Sequence, residues 1–366
     1  MSQKPAGVLP SQTIREMLSD GRITVDNPII EGQIQPASLD LRLGTVAWRV
    51  RASFLPGAGR TIRERLADFE MHKIDLTNGA VLEKGCVYVV PLMEGLALPA
   101  DVNAVANAKS STGRLDLFTR LITDNGAEFD RVEAGYTGPL YAEVSPRSFS
   151  VLARPGMRLN QIRFRQGQVI LSDDELRAMD DAHALVDVEA HIDQGLGFSV
   201  DLTPRENGIV GYRAKPHTGL IDLDLIAHYD AQEFWEPVHA TDGRIILDPG
   251  AFYILVSREA VHVPPNCAAE MAPYMAMVGE FRVHYAGFFD PGFGHEAAGG
   301  KGSRGVLEVR CHEAPFALEH GQIVGRLIYE KMTEVPDILY GKEMKSNYQG
   351  QGLKLAKHFR MYQTVG

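Results

Sequence analysis

Six consecutive residues, Lys109-Ser110-Ser111-Thr112-Gly113-Arg114, gather two cations and three hydroxyls directly behind an expected strand. Such a turn has the chemistry to hold phosphate oxygens, because hydroxyls donate, a guanidinium offers a planar fork and glycine admits close backbone approach. The same six residues also suit an ordinary exposed polar turn. Glu143 is the second group of interest. It follows the turn Gly135-Tyr136-Thr137-Gly138 in a stretch whose alternation puts Tyr141 and Glu143 on one strand face. In a cleft, a carboxylate there takes a proton from water and returns it to a leaving group; on an open face it is a solvated strand Glu. The third group is Tyr340 with Asn347-Tyr348-Gln349-Gly350-Gln351-Gly352, a stretch too polar and glycine-rich for a core element, which reads as a flexible tail. A Tyr can stack on a nucleobase and a Gln can bond its edges, and an unstructured terminus carries such residues equally often.

Two further clusters are set aside. Gly299-Gly300-Lys301-Gly302-Ser303-Arg304-Gly305 lacks the G-x-x-x-x-G-K-[ST] spacing of a phosphate loop and reads as a hairpin loop. The 12 His residues show no metal-ligand spacing, and Cys311-His312-Glu313 is too short a cluster to hold zinc alone, so no structural metal is expected.

The elements that position these groups repeat. Val81 to Tyr88 lies over Ile246 to Tyr253, with Gly85 matching Gly250 at an offset of 165 residues. The same offset joins Leu98 to Val263, Glu143 to Glu308, Gly156 to Gly321 and Phe164 to Tyr329. Upstream, Ala37-Ser38-Leu39-Asp40-Leu41 resembles Phe198-Ser199-Val200-Asp201-Leu202 at an offset of 161. The chain therefore reads as a duplicated domain, 1–180 and 190–366, with a joint near 175–190 containing a helix that Ser172 and Glu175 cap. Short runs rich in Val, Ile, Leu and Tyr, bounded by Gly or Pro, predict a mainly β fold with a few short helices. One of these helices is expected to begin at Ser11 as N-cap, with Ile14, Met17 and Leu18 on one face.

Composition bounds the function. A chain of 366 residues with 45% hydrophobic and 23% charged residues is an ordinary globular protein of about two domains. Its 37 Lys and Arg against 47 Asp and Glu give a net charge of −10, which disfavours a nucleic-acid polymer or an anionic membrane as partner, yet leaves room for a small phosphate ligand. Cys86, Cys267 and Cys311 are too far apart for a C-x-x-C site, and Met1 to Leu9 has no apolar run of signal-peptide length, so a cytoplasmic protein is expected.

In order along the chain, Ile34 to Gly44, Leu98 to Asp101, Lys109 to Arg114, Gly135 to Gly138 leading to Glu143, Arg154 to Met157 and Tyr348 to Gln351 resemble the dCTP deaminase family of the trimeric dUTPase superfamily, in a long form with a duplicated domain. The resemblance implies two tandem dUTPase-like distorted β-barrels of jelly-roll character, assembled as a homotrimer with sites at subunit interfaces. It implies hydrolysis of dCTP to dUTP and ammonia. Lys109, Ser110, Ser111 and Arg114 would bind the triphosphate, Lys109 standing where the family commonly has Arg. Glu143 would activate water against cytosine C4 without zinc, consistent with the absence of a paired H-x-E and P-C-x-x-C signature.

By the same resemblance Arg131, Glu133 and Tyr136 would contact base and sugar, with Glu133 where the family has Asp, while Tyr340, Tyr348 and Gln351 would cover the nucleotide. Mg²⁺ would ride in on the triphosphate. A relative that also or only cleaves the triphosphate to dUMP and pyrophosphate, and a non-catalytic nucleotide-binding regulator, are the alternative readings. Copy one has extra residues between Arg114 and Gly135. Copy two keeps Asp290-Pro291-Gly292-Phe293 and Glu308 but has Pro273-Tyr274-Met275-Ala276-Met277-Val278-Gly279 where the Ser and Arg donors should stand, so it is expected to have lost triphosphate binding.

Overall fold

Gly85 and Gly250 both adopt a left-handed backbone, φ 78° and 71°, and each turns the chain so that its N–H reaches a strand end, the carbonyls of Pro146 and Cys311. Three residues on, Tyr88 and Tyr253 each accept a hydrogen bond at the phenol oxygen, from the N–H of Glu83 and of Asp248, at 2.9 Å in both cases. Burial pushes both phenols above their ordinary range. The repeat seen in the sequence is thus a repeat of hydrogen bonds.

The computed structural model describes residues 5–273, 281–284, 287–341 and 350–360. It is mainly β and forms two compact units. Unit 1 comprises residues up to Val169 with Gly219–Asp224 and Met332–Ile338; unit 2 comprises Ile170–Thr218, Leu225–Lys331 and the residues from Leu339. The switch falls between Val169 and Ile170. The helix Asp173–His183 lies wholly in unit 2, and Ser172 and Glu175 form its capping box.

In unit 1, one sheet runs in the order Glu70–Asp75, Val46–Val50, Val87–Ala97, Thr137–Pro146, Leu117–Thr123, with Ile23–Val25 also on Val87–Ala97. A second runs Gly7–Val8, Arg158–Gln166, Val102–Ala108, Arg131–Val132, with Leu39–Arg42 also on Arg158–Gln166. Unit 2 repeats the scheme. Ile209–Ala214, Phe252–Val261, Ser303–Cys311 and Phe281–His284 form one sheet with Trp235–His239, and Leu196–Ser199, Ile323–Lys331, Cys267–Pro273 and Phe288–Phe289 form another. The core of unit 2 gathers Phe198, Leu255, Leu307, Leu327 and Tyr329.

The upstream alignment at 161 is corrected by the backbone. Leu43 N–H bonds the Met157 carbonyl and Val200 N–H the Gln322 carbonyl; Gly44 N–H bonds Pro91 and Asp201 N–H bonds Val256. Both acceptor pairs keep the 165 offset, so their donors, Leu43 with Val200 and Gly44 with Asp201, set the true offset at 157. The Ser-x-Asp-Leu likeness slid the register by a small step that only long-range bonds reveal.

Other expectations change as well. The segment Gly299–Gly305 is no hairpin loop, because Phe288–Phe289 and Ser303–Cys311 belong to different sheets. The first helix, Ser11–Ser19, has Pro10 as its N-cap, and the Ser11 hydroxyl instead bonds Asp337 at 2.5 Å. The C-terminal stretch is also more than a flexible tail. Phe359–Arg360 pairs in parallel with Tyr229–Asp230, and the Phe359 ring, 6% exposed, packs 5.3 Å from Phe234 and 5.9 Å from Trp235. Phe359→Ala is expected to cost about 3–5 kcal/mol by the cavity it leaves. Urea unfolding of unit 2 checks this, and a loss below about 0.5 kcal/mol, the level of a surface substitution, contradicts it.

Candidate functional site

Glu143 sits mid-strand in Thr137–Pro146, between Val89 on one neighbour and Arg120 on the other. The alternation read from sequence holds. Tyr141 and Glu143 share a face, which also carries the partners Ile122 and Arg120, and both residues are buried. An apolar cluster of Val50, Phe54, Ile62, Leu66, Val89, Ile122 and Tyr141 covers this side of the sheet. Its roof is residues 51–69, including the capped helix Ile62–Phe69.

The carboxylate is 1% exposed and held from one side. Arg120 donates to Oε1 twice, from Nη2 at 2.5 Å and from Nε at 3.1 Å. The guanidinium is itself fixed: Nη2 reaches Ser53 Oγ at 2.8 Å, the Phe129 ring lies 3.3 Å from it and the Phe118 ring 4.8 Å. Glu143 Oε2 has no hydrogen-bond partner among the described residues. One oxygen is committed and the other is an open acceptor in a buried setting, which is the arrangement that receives a proton from a water placed there.

Phe129 belongs to the extra segment of copy one, and that segment is tied to the roof. Asn125 N–H bonds Arg60, Gly57 N–H bonds Gly126, and Ile62 N–H bonds Asp124 Oδ1. Arg120, Ser53, Phe129 and the roof all escaped the reading of the sequence. A signal was present for Arg120: it and Glu143 are opposite charges on two adjacent alternating stretches that pair in register.

The six-residue cation and hydroxyl stretch forms a one-turn helix, Ser110–Gly113, ending at Arg114, directly before the strand Leu117–Thr123. Ser110 and Ser111 are half-buried. Arg114 is 2% exposed, so its guanidinium lies inside the unit rather than on an open turn. Lys109 Nζ bonds Asp40 Oδ2, and Arg158 Nη1 stands 3.3 Å from the same oxygen, while Asp40 Oδ1 has no hydrogen-bond partner among the described residues. Leu117 pairs with Pro146, three positions along the ladder from Glu143, so the turn begins roughly 10 Å of strand away from the carboxylate.

Arg131 and Glu133 are exposed and pair with each other at 3.4 Å, with Glu128 on Arg131 at 3.3 Å. The Tyr136 phenol donates to the Pro139 carbonyl at 2.6 Å and accepts from Asp124 N–H, closing its own turn, and burial raises its titration above the usual phenol range. Tyr340 and Gln351 are engaged within unit 2. Tyr340 packs 5.6 Å from Phe293, and Gln351 bridges to Ser303 and Arg304. Tyr348 lies outside the described residues.

In copy two, Glu308 pairs with Ile254 and His284, the positions that match Val89 and Arg120, and it is 4% exposed. The carboxylate's place is repeated, but Arg120 is not. Residues 274–279, where the phosphate donors would fall, lie outside the described residues. Among the described residues, no three His, Cys, Asp or Glu side chains converge as metal ligands, and no helix is long and apolar enough to cross a membrane.

Two family descriptions match this chain: the N-terminal domain of 2'-deoxycytidine 5'-triphosphate deaminase over residues 5–168, and its C-terminal domain over residues 172–359. A crystal structure of 2'-deoxycytidine 5'-triphosphate deaminase from Agrobacterium tumefaciens is 57% identical, with a TM-score of 0.86 over 90% of this chain and 99% of that one. A "dCTP deaminase, dUMP-forming" of Coprothermobacter proteolyticus is 28% identical over 158 residues, 43% of this chain and 81% of the relative. A "dCTP deaminase" of Halorubrum lacusprofundi is 27% identical over 163 residues, 43% of this chain and 77% of the relative.

Proposed function

The chain belongs to the 2'-deoxycytidine 5'-triphosphate deaminase family, and we propose that the first repeat carries the reacting site with Glu143 as its proton-transfer group. The protein deaminates dCTP. In this reading water adds to cytosine C4 while Glu143 Oε2 takes its proton; the exocyclic amine then receives a proton and leaves as ammonia, and dUTP remains. The observation that carries the assignment is the split carboxylate, with Oε1 gripped by Arg120 and Oε2 open.

Around it we place the triphosphate on Ser110, Ser111, Arg114 and Lys109, with Lys109 exchanging Asp40 for phosphate. Base and sugar fall to Arg131 and Glu133, with Tyr136 holding their turn; the tail residues Tyr340, Tyr348 and Gln351 are assigned to covering the nucleotide. The phosphate stretch offers hydroxyls and cations, donors suited to phosphate oxygens, so Mg²⁺ enters as the counter-ion of the substrate and not on protein ligands. Tandem dUTPase-like barrels, a homotrimer with dCTP at subunit interfaces, and a cytoplasmic location complete the proposal.

The relatives named dUMP-forming favour a second reading, in which the same site also cleaves the triphosphate. Measuring ammonia and pyrophosphate together after adding dCTP and Mg²⁺ separates the two. Ammonia alone supports the deaminase, equal amounts of both support the bifunctional reading, and tight nucleotide binding without either product overturns both.

Arg120 acts through Glu143 and is a positioning residue. Arg120→Ala is expected to lower kcat by about 10–100-fold, comparable to the loss of an orienting partner of a reacting group, with little change in KM. Restoration of kcat by added guanidinium at non-denaturing concentration separates positioning from a general loss of structure. An unchanged kcat removes Arg120 from the mechanism.

A further inference from the structure

The two repeats differ at a buried carboxylate to which the proposed reaction gives no role. In copy one, Glu94 is 1% exposed and fully engaged. Arg42 donates from Nε to Oε1 at 2.7 Å and from its backbone N–H to Oε2 at 2.8 Å, and Gln33 Nε2 donates to Oε1 at 2.8 Å. The Arg42 guanidinium continues to the carbonyls of Asn27 and Pro28. Glu94 is thus neutralised by a cation delivered into the interior.

Copy two keeps the acid and loses the cation. Glu259 matches Glu94 at the 165 offset, and Ser199 N–H bonds its Oε2 at 2.9 Å as Arg42 N–H bonds that of Glu94. Ser199 therefore stands in the place of Arg42. Gln33 is replaced by His191, since Asp40 N–H bonds the Gln33 carbonyl and Gly197 N–H bonds that of His191. His191 is exposed and makes no bond to the acid among the described residues, where Ser199 alone donates to Glu259. Arg258, also exposed, forms no ion pair with it. Glu259 is nevertheless only 7% exposed.

The vanished side chains leave room. A cavity of about 190 Å³ is lined by Ser199 and Glu259 with Val186, Glu189, His191 and Arg258. One water takes up about 30 Å³, so the space is far larger than a single water needs. A carboxylate this buried loses much of its hydration, and a counter-charge would offset that cost. Copy one shows which chemistry fits it: a planar, donor-rich cation.

We propose that this cavity in unit 2 is a binding site for a small organic cation bearing a guanidinium or primary ammonium group, which takes the place that the Arg42 side chain fills in unit 1. Glu259 supplies the charge and accepts the hydrogen bonds, Glu189 adds a second acid at the lining, and Val186, Leu196 and Ile323 add apolar lining.

The probe is methylguanidinium, with methylurea as its neutral isostere, added to the full chain during thermal unfolding. Methylguanidinium at about ten times its Kd is expected to raise Tm saturably by roughly 3 °C, while methylurea leaves it unmoved. Ser199→Arg supplies the cation from within, so it should raise Tm on its own and abolish the response; Glu259→Gln should abolish the response as well. No saturable response of the unaltered protein, the outcome if His191 or Arg258 folds in as counter-ion, overturns the proposal. So does a full response in Ser199→Arg, a readout that holds even if Glu259→Gln fails to fold.

Discussion

Glu143→Gln is expected to reduce ammonia release from dCTP by about 10³-fold while the nucleotide still binds, and Glu308→Gln is expected to leave most of the activity. The first half follows from the two oxygens. An amide keeps the shape of the carboxylate and can still present an oxygen to Arg120, but its nitrogen then occupies the position of Oε2. A donor replaces the open Oε2 acceptor, and in the proposed mechanism water then loses the group that takes its proton. The second half follows from the repeat. Glu308 has the same ladder position, yet His284 stands opposite it in place of Arg120, and the sequence from Pro273 to Gly279 holds neither Ser nor Arg. A carboxylate cannot act on a base that nothing holds beside it, because positioning supplies much of the rate. Coupled-assay kinetics on both variants, with circular dichroism and sizing to verify folding and assembly, decide the matter. If Glu308→Gln eliminates turnover in a folded, assembled protein, the site is shared between repeats and Glu143 is not the sole catalyst.

What the sequence revealed of this arrangement was its local part. Gly85, Tyr88 and their partners Gly250 and Tyr253 were legible because a left-handed turn and a phenol clasp are made by residues near one another in the chain. Glu143 could be placed on a strand face by alternation alone. Its partner Arg120 could not, since their meeting depends on which strands pair and in what register, and the two lie 23 positions apart with the extra segment between them. The same limit explains the misplaced offset of 161. Ser38 and Ser199 look alike locally, whereas the bonds of Arg42 and Ser199 to Glu94 and Glu259, 52 and 60 residues away, set the correspondence. At the C-terminus, the glycine-rich stretch around Tyr348 has the composition of a flexible tail, but Leu355, Ala356 and Phe359 beyond it are buried.

Arg42→Ala should destabilise unit 1 by about 3–5 kcal/mol, one of the largest losses available to a single substitution in this chain. The cost arises less from the interaction removed than from what stays behind. Glu94 would remain 1% exposed with Gln33 and one backbone N–H as its donors and no cation. Removing both charges relieves that, so Arg42→Met with Glu94→Gln should lose much less than the two single losses combined, and the coupling measured by the cycle should exceed about 1 kcal/mol. Ser199→Ala makes the matching comparison in unit 2: it deletes only the hydroxyl bond to Glu259, expected to cost about 1–3 kcal/mol. Urea unfolding monitored separately for the two units gives all three values. Should Arg42→Ala cost no more than Ser199→Ala, the buried acid does not need its cation. The contrast between Glu94 and Glu259, from which the ligand site in unit 2 is inferred, would then lose its physical ground.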